Sequence, residues 1–222
     1  MTPLAISVII PTTGHNDALA TLVVQLIKSD IFEIIIIKPE NTELRFKLPS
    51  SCKCLAAPKG RGSQIQAGLD VAKGDILWIL HDDNDVSEKA IPEILRIIKD
   101  PLTTLGYFPL RFDYPSLSLK LFAMFSYLSL PWTTFGDQGF FFHRKFKENL
   151  PDLTPYPLLE DVVIYRSLKK KGRIVKTKCP ITTSSKRFVR IGIWRTQWRN
   201  AKVLWKFRQG VSAKKLYDSY YL

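Results

Sequence analysis

The segment with the clearest chemical potential is an acidic run, HDDND at residues 81–85, which directly follows an apolar stretch. In an open α/β sheet, ligands bind beyond the carboxyl ends of the strands. Carboxylates at that position are suited to a hard divalent cation, and such a cation can bridge the phosphates of a nucleotide. A solvated acidic turn before a helix explains the run equally well. Its position behind Trp78-Ile79-Leu80 favours a functional site.

A second segment, KGRGSQ at residues 59–64, combines glycines with basic residues at the start of a predicted helix. Glycine allows a ligand to approach the backbone closely, and a helix N-terminus favours anions. Arg61 adds a fork of hydrogen-bond donors. The spacing is not that of a Walker A motif, so the segment predicts either an anion site of another kind or a flexible basic turn.

Two further polar pairs lie in the second half of the chain. Glu160 and Asp161 begin a predicted helix, where negative charge interacts favourably with the helix dipole. Beside a metal–phosphate site, one of them could instead act as a general base. Asp137 and Gln138 stand between two glycines, which predicts a tight turn that exposes both side chains. For each pair alone, the structural interpretation is favoured. The three scattered histidines, including His81, are predicted to be structural.

The elements that position these residues alternate between strand and helix in the first half of the chain. Apolar runs of β-branched residues predict strands, and apolar residues at i, i+3 and i+4 predict helices. The predicted strands are 6–10, 33–37, 52–56 and 75–80, and the predicted helices are 16–28, 62–73 and one that ends near Lys99 with Pro92 at its first position. This order indicates βαβ units and a parallel sheet.

The second half is less regular. Short apolar runs predict strands, and amphipathic stretches predict helices, without an internal repeat or a low-complexity linker. The predicted strands are 106–112, 139–143 and 174–178, and the predicted helices are 119–130, 158–171 and 194–207. The chain has no apolar stretch of the ~20 residues that a membrane-spanning helix needs.

Charge is distributed unevenly along the 222 residues. The chain carries 33 Lys and Arg against 20 Asp and Glu, and 17 of these bases but one acid, Asp218, follow Asp161. A basic segment of this kind indicates an anionic partner. The interleaved Trp and Arg residues of 194–207 suit an anionic membrane surface or stacked bases, and they equally suit a helix that packs on the core with a basic outer face.

The three cysteines do not form a disulfide or zinc pattern, so we expect reduced thiols in a cytoplasmic protein. The apolar N-terminal run lacks the basic residues of a signal peptide and is predicted to be a strand. Association of the basic tail with the inner face of the membrane remains compatible with this location. We do not expect nucleic acid to be the partner.

Taken in order, these segments resemble the family 2 glycosyltransferases, which have the GT-A fold, and in particular the radical-SAM/selenodomain-associated subgroup. The likeness extends over nearly the whole chain. The segments that carry it are SVIIP (7–11), GRGSQIQAG (60–68), AKGDIL (72–77), LHDDN (80–84), GDQG (136–139), LEDV (159–162), KRF (186–188) and GIWRT (192–196).

The resemblance implies an α/β protein with a mainly parallel central sheet and flanking helices. It implies inverting transfer of a sugar from a nucleotide-sugar donor to a hydroxyl acceptor, with Mn²⁺ or Mg²⁺ as the cofactor. The chain would then be one domain, 1–222, with a nucleotide-binding half (1–105), an acceptor half (106–190) and a basic, Trp-rich helical tail (191–222). Asp83 matches the metal ligand and Asp161 the general base, while Pro11, Thr12, Arg61, Gln64 and Asp82 fall on the nucleotide side and Asp137, Gln138 and Glu160 on the acceptor side.

Two alternatives remain open at the level of sequence. A nucleotidyltransferase also combines a nucleotide-binding fold with acids and a metal, but the PTTG segment after the first strand, residues 11–14, contains no basic residue to bind phosphate. A non-catalytic module with a degenerate site would bind anions or a membrane without consuming a donor. The resemblance favours the transferase over both.

Overall fold

A seven-stranded sheet forms the centre of the fold. The computed structural model describes residues 4–114, 136–185 and 191–221. The strands of the central sheet are β1 (Ile6–Pro11), β2 (Glu33–Pro39), β3 (Cys52–Ala57), β4 (Ile76–Ile79), β5 (Thr103–Tyr107), β7 (Phe141–His143) and β8 (Arg173–Lys176), in the order β3-β2-β1-β4-β7-β5-β8. The expected α/β architecture with a mainly parallel sheet is therefore confirmed.

Strand direction divides the sheet at β7. The strands from β3 through β4 are mutually parallel, whereas β7 runs antiparallel to both of its neighbours, β4 and β5. β1 and β4 are buried along their whole length, as expected for strands covered by helices on both faces. The carboxyl ends of the four parallel strands consequently lie at one edge of the sheet. Because β1 and β4 are neighbours, the loops that follow them are adjacent at this edge.

Helices cover both faces of the sheet. They are α1 (Ala18–Ile27), α2 (Arg61–Val71), α3 (Ala90–Ile98), α4 (Glu160–Lys169), α5 (Ile193–Arg208) and α6 (Ala213–Tyr221). Alternate residues of β1 divide between the two cores because successive side chains of a strand point to opposite faces. Val8 and Ile10 pack with α1 and α3, whereas Ile9 packs with α2 and α4.

Two smaller units complete the described part of the fold. β6 (Leu110–Phe112) and β9 (Ile181–Thr183) form a two-stranded parallel sheet, and a bridge between Asp85 and Thr182 joins it to the loop after β4. The α5–α6 pair packs its apolar side on Leu158 and Leu159, directly before α4. The C-terminal tail therefore lies against the start of α4.

The structure corrects several of the predicted elements. The single strand predicted over 106–112 is wrong: β5 and β6 belong to different sheets, and they are separated at Pro109, which has no N–H to donate to a ladder. Pro92 is the third residue of α3 rather than the first. β9 and α6 were not predicted. The helix predicted over 119–130 lies outside the described residues.

The remaining boundaries differ from prediction by a few residues, and all three cysteines are free thiols. Among the described residues, no helix combines the length and apolar character needed to cross a membrane.

Candidate functional site

Asp82 joins the loops that follow β1 and β4. One of its carboxylate oxygens accepts a hydrogen bond from the Thr12 hydroxyl at 2.5 Å, and the other accepts from the Asn16 side-chain amide at 3.0 Å. Asn16 also accepts from the backbone N–H of Ala18 at the start of α1. The first carboxylate of the acidic run therefore fixes the geometry of this edge of the sheet.

Asp83, the next residue, is largely buried and faces other carboxylates. Its pKa is raised to about 6, chiefly by burial and also by the negative charges of Asp137 and Asp82, against the opposing effect of His81. Asp83 also lines a pocket of about 450 Å³ between α1, the acidic loop and the small sheet. Its carboxylate is thus held near like charges inside a cleft, a situation that a bound cation would relieve.

Arg61, the first residue of α2, connects three parts of the chain that are distant in sequence. Its Nε lies 3.2 Å from Oε1 of Glu160, and its Nη1 lies 3.8 Å from Oδ1 of Asp137 and 3.5 Å from Nε2 of His81. About one third of the Arg61 side chain is exposed. The guanidinium is therefore positioned by acids on one side and remains accessible to an anion.

His81 and Asp137 form a second ion pair beside Arg61. Nδ1 of His81 lies 2.9 Å from Oδ1 of Asp137. Burial lowers the pKa of His81, but the Asp137 carboxylate outweighs burial, so the pKa is raised overall. Asn84 supports this pair: its Oδ1 accepts from the His81 N–H at 2.8 Å, and its Nδ2 donates to the Asp137 carbonyl at 3.2 Å.

Glu160 and Asp161 are the first two residues of α4. Leu159 precedes them with a φ of 67°, in the left-handed region that is rare for a branched residue. Such strain is most often retained where a site requires it. The turn at Leu159 directs the first turn of α4 into the interior, where both acidic residues are buried.

The two acids differ in their environments. Glu160 is fully buried, and within the described part of the chain its two oxygens lack hydrogen-bond partners, although Arg61 lies within ion-pair distance. The pKa of Glu160 is raised to about 7, chiefly by burial and partly by the charge of Asp161, although Arg61 opposes the shift. Oδ1 of Asp161 accepts from the N–H of Val162 at 2.7 Å, which fixes the orientation of that carboxylate.

The start of α2 is fitted closely to the edge of the sheet. The side-chain amide of Gln64 donates to the carbonyls of Thr12 and Ile37, each at 2.7 Å, and so joins α2 to β1 and β2. A Cβ on Gly62 would lie 2.2 Å from the Leu153 carbonyl oxygen, so only glycine fits there. Gln64 is buried and therefore positions the segment that carries Arg61.

The structure brings together most of the residues that the sequence singled out. Arg61 lies within ion-pair distance of Asp137 and Glu160, the charge of Asp137 acts on Asp83, and Asp161 follows Glu160 in α4. Pro11 ends the buried strand β1. The segment 186–188 lies outside the described residues.

The prediction that Gln138 is exposed is wrong. Its side chain is fully buried, and its carbonyl accepts from the N–H of Phe108 at 2.8 Å, which packs this turn against the end of β5. Three further residues of the site, Asn16, His81 and Asn84, received no role at the level of sequence. The available signal was that His81 and Asn84 belong to the acidic run itself.

The side chains of the site are better suited to a cation that keeps water and phosphate ligands than to one enclosed by protein ligands alone. Among the residues of 4–114, 136–185 and 191–221, no group of three or more His, Cys, Asp or Glu is arranged to hold a metal. An all-protein cage, as in structural zinc sites, therefore does not fit these residues. Asp83 and Asp137 are near enough for the charge of one to raise the pKa of the other, and carboxylates are the ligands that Mg²⁺ prefers, with waters and substrate phosphates as its other ligands.

Comparison with known proteins identifies the fold class. Residues 1–349 of TarS from S. aureus match with a TM-score of 0.60 at 14% identity, over 82% of this chain and 61% of that one. A mycobacterial protein matches with a TM-score of 0.54 at 12% identity, over 82% of this chain and 65% of that one. The chain thus spans less than two thirds of the length of either structure.

TarS is a family 2 wall teichoic acid glycosyltransferase, and the fold that it shares with this chain is the GT-A fold. No protein-family model and no curated protein sequence matches the chain. At these identities the comparison establishes the GT-A fold, as expected from the sequence, whereas the radical-SAM-associated subgroup stays a prediction.

Proposed function

We propose that the protein is an inverting, metal-dependent glycosyltransferase that moves a sugar from a nucleotide-sugar donor to a hydroxyl acceptor. One observation carries the proposal: on a GT-A scaffold, Arg61 contacts His81 in the loop after β4, Asp137, and Glu160, the first of the two buried acids of α4. The partly exposed guanidinium of Arg61 therefore lies beside the carboxylates of Asp137 and Glu160. Such an arrangement can hold a charged diphosphate and activate a hydroxyl group.

The diphosphate of the donor would bind at the start of α2 and at the acidic loop. Arg61 offers its guanidinium to phosphate oxygens, and the N–H groups of the first turn of α2 favour the same charge. Asp83, with Asp137 nearby, would hold Mn²⁺ or Mg²⁺. A cation bound there would neutralise negative charge on the departing diphosphate. Pro11, Thr12 and Asp82 would form the floor of the nucleotide site, and Gln64 keeps that floor in position.

Asp161 would act as the general base. As the acceptor oxygen attacks the anomeric carbon from the face opposite the diphosphate, its proton passes to the Asp161 carboxylate. The new carbon–oxygen bond forms while the bond to the diphosphate breaks, so the configuration inverts. Assistance of this kind accelerates a reaction ~10²–10⁴-fold. The hydrogen bond from the Val162 N–H holds the carboxylate in a fixed orientation.

The acceptor side divides into one accessible group and two buried ones. Side-chain exposure of 46% leaves Asp137 able to meet a substrate directly. Gln138 and Glu160 are fully buried and would act by holding the turn and Arg61 in place. The proposal therefore assigns Asp137 a direct contact and the other two a positioning role.

Thermal denaturation with nucleotide-sugars tests the binding half of the proposal. We expect UDP- or GDP-sugars to raise the melting temperature of the wild type in the presence of Mn²⁺ or Mg²⁺. Asp83→Asn should lose this metal-dependent increase, whereas the control Asp30→Asn, an exposed acid after α1 that does not line the pocket, should keep it. Equal stabilisation of Asp83→Asn and the wild type would refute the metal role.

Donor consumption tests the catalytic half. Asp161→Asn should still be stabilised by donor and metal, but it should release nucleoside diphosphate at least ~10²-fold more slowly than the wild type. Turnover at the wild-type rate would show that Asp161 is not the base. Stabilisation by nucleic acid alone, without an effect of any nucleotide-sugar, would instead support a non-catalytic binding module.

A further inference from the structure

The outer face of α5 presents two large aromatic side chains to solvent. Trp198 is 77% exposed and Trp205 is 59% exposed, more than any other large apolar side chain of the described residues. They are seven residues apart, which is two helical turns and a separation of about 10 Å on the same side of the helix. Tryptophans are normally buried or at interfaces, so two exposed neighbours indicate a binding surface.

The opposite face of α5 is firmly attached to the rest of the protein. Val203 packs with Leu216 of α6 and with Leu158 and Leu159. Phe207 meets the ring of Tyr156 edge-on, with centroids 6.3 Å apart. Trp198 and Trp205 are therefore exposed although the opposite face of α5 is packed on the rest of the protein.

Positive charge surrounds the two tryptophans. The sequence of α5 contains five Lys and Arg and no acid. Arg195 and Lys202 are exposed and fall on the same side of the helix as the tryptophans, at a spacing of three and four residues. We call this stripe, Arg195, Trp198, Lys202 and Trp205, the outer stripe of α5. It combines aromatic and cationic side chains without a neutralising carboxylate in the helix.

We infer that the outer stripe of α5 is a docking surface for an anionic lipid bilayer. Tryptophan rings favour the headgroup level of a membrane, and basic side chains favour anionic headgroups. Two rings on the same side of one helix can reach a similar depth in a flat surface. Consecutive bases of a single strand stack on aromatic platforms along a groove, whereas the outer stripe is the exposed, convex side of one helix. The geometry therefore favours a membrane over nucleic acid.

Docking by this stripe would also place the candidate site relative to the lipid. The inner face of α5 contacts Leu158 and Leu159, which immediately precede the buried acids of α4. One helix diameter, roughly 10 Å, would then separate the start of α4 from the bilayer. This placement depends only on packing within the chain, so it holds whatever reaction the site performs.

Vesicle co-sedimentation tests the inference. The full chain should bind phosphatidylcholine vesicles that contain one quarter phosphatidylglycerol at low salt, and it should bind weakly to pure phosphatidylcholine or at high salt. Trp198→Ala/Trp205→Ala should weaken binding at least ~10-fold. The control Phe32→Ala/Leu102→Ala, which removes two apolar side chains of similar exposure elsewhere, should bind like the wild type.

A second pair of variants tests the charge component. Arg195→Gln/Lys202→Gln should weaken binding and reduce its dependence on salt, whereas Lys28→Gln/Lys89→Gln, with the same change of charge on exposed residues of other elements, should have a smaller effect. Circular dichroism and melting temperatures establish that each variant is folded.

Three results would overturn the inference. They are failure of the wild type to bind anionic vesicles at low salt, unchanged binding by the tryptophan double variant, and binding of single-stranded RNA but not of vesicles through the same two tryptophans. The last result would make the outer stripe a nucleic-acid surface.

Discussion

Glu160→Gln should stabilise the protein above neutral pH. The side chain of Glu160 is fully buried, its oxygens lack hydrogen-bond partners among the described residues, and Arg61 is the only cation within ion-pair distance there. Burial raises the pKa of Glu160 to about 7 from an ordinary 4.5, in spite of Arg61. The folded protein thus holds an ionised Glu160 less favourably than the unfolded chain does, and glutamine keeps the shape while removing the charge.

The magnitude follows from the pKa. A rise from 4.5 to about 7 corresponds to about 3 kcal/mol of unfolding free energy. Below the unfolded pKa, Glu160 is protonated in both states and contributes nothing. Between the two values the unfolded chain releases the proton first, so the wild type loses stability as the pH rises, and above about 7 the whole loss is present. For a chain of this length, the variant should melt about 5–10 °C higher at alkaline pH.

Urea denaturation at about pH 4.5 and about pH 8.5 measures this difference. We expect wild type and Glu160→Gln to be similar at the lower pH and the variant to be more stable at the higher one. Glu93→Gln is a control that should lower the unfolding free energy at the higher pH. Hydrogen bonding to Arg96 lowers the pKa of Glu93, so its ionised form stabilises the fold. If Glu160→Gln were less stable than the wild type at about pH 8.5, the ion pair with Arg61 would outweigh burial, and the reasoning would be refuted.

Three other predictions concern the edge of the sheet. Gly62→Ala should lower the unfolding free energy by roughly 2–3 kcal/mol, because its Cβ would meet backbone oxygens; an unchanged urea midpoint would contradict this. Gln64→Leu should cost about 1–3 kcal/mol, since the Thr12 carbonyl loses this donor and the Ile37 carbonyl keeps only the Thr12 N–H, whereas Gln209→Leu, at an exposed position directly after α5, should be neutral in the same assay. Without metal, Asp83→Asn should raise the melting temperature at about pH 8, where the ionised Asp83 destabilises the fold, and leave it unchanged at about pH 4. A lower melting temperature of the variant at about pH 8 would show that the ionised carboxylate does not destabilise the fold.

The first half of the fold was predictable because its signals are local. Strands such as β1 and β2 are continuous apolar runs that helices cover on both faces, and the amphipathic helices between them follow in order. The second half depends on pairing between distant segments. β6 and β9 are three residues each and pair across about seventy residues, so neither has a pattern long enough to identify its partner.

The site was predictable to the extent that its residues cluster in sequence. The acidic run and the glycine-rich start of α2 are visible as motifs, but their partners are not: His81 meets Asp137 from 56 residues away. The burial of Glu160 was equally hidden, because an acid in the first turn of a helix is ordinarily solvated. Its burial follows from the left-handed turn at Leu159 and from packing that only the folded chain reveals.

The position of β7 has a consequence for synthesis of the chain on the ribosome. The edge of β4 that faces β7 remains unpaired until residues 141–143 emerge, about sixty residues after β4 is complete. At ordinary translation rates this delay lasts roughly 3–12 s. During that time an apolar strand with open backbone donors and acceptors is available to a neighbouring nascent chain on the same messenger. Protection of this edge by a chaperone, or slow translation before it emerges, would therefore favour the yield of native protein.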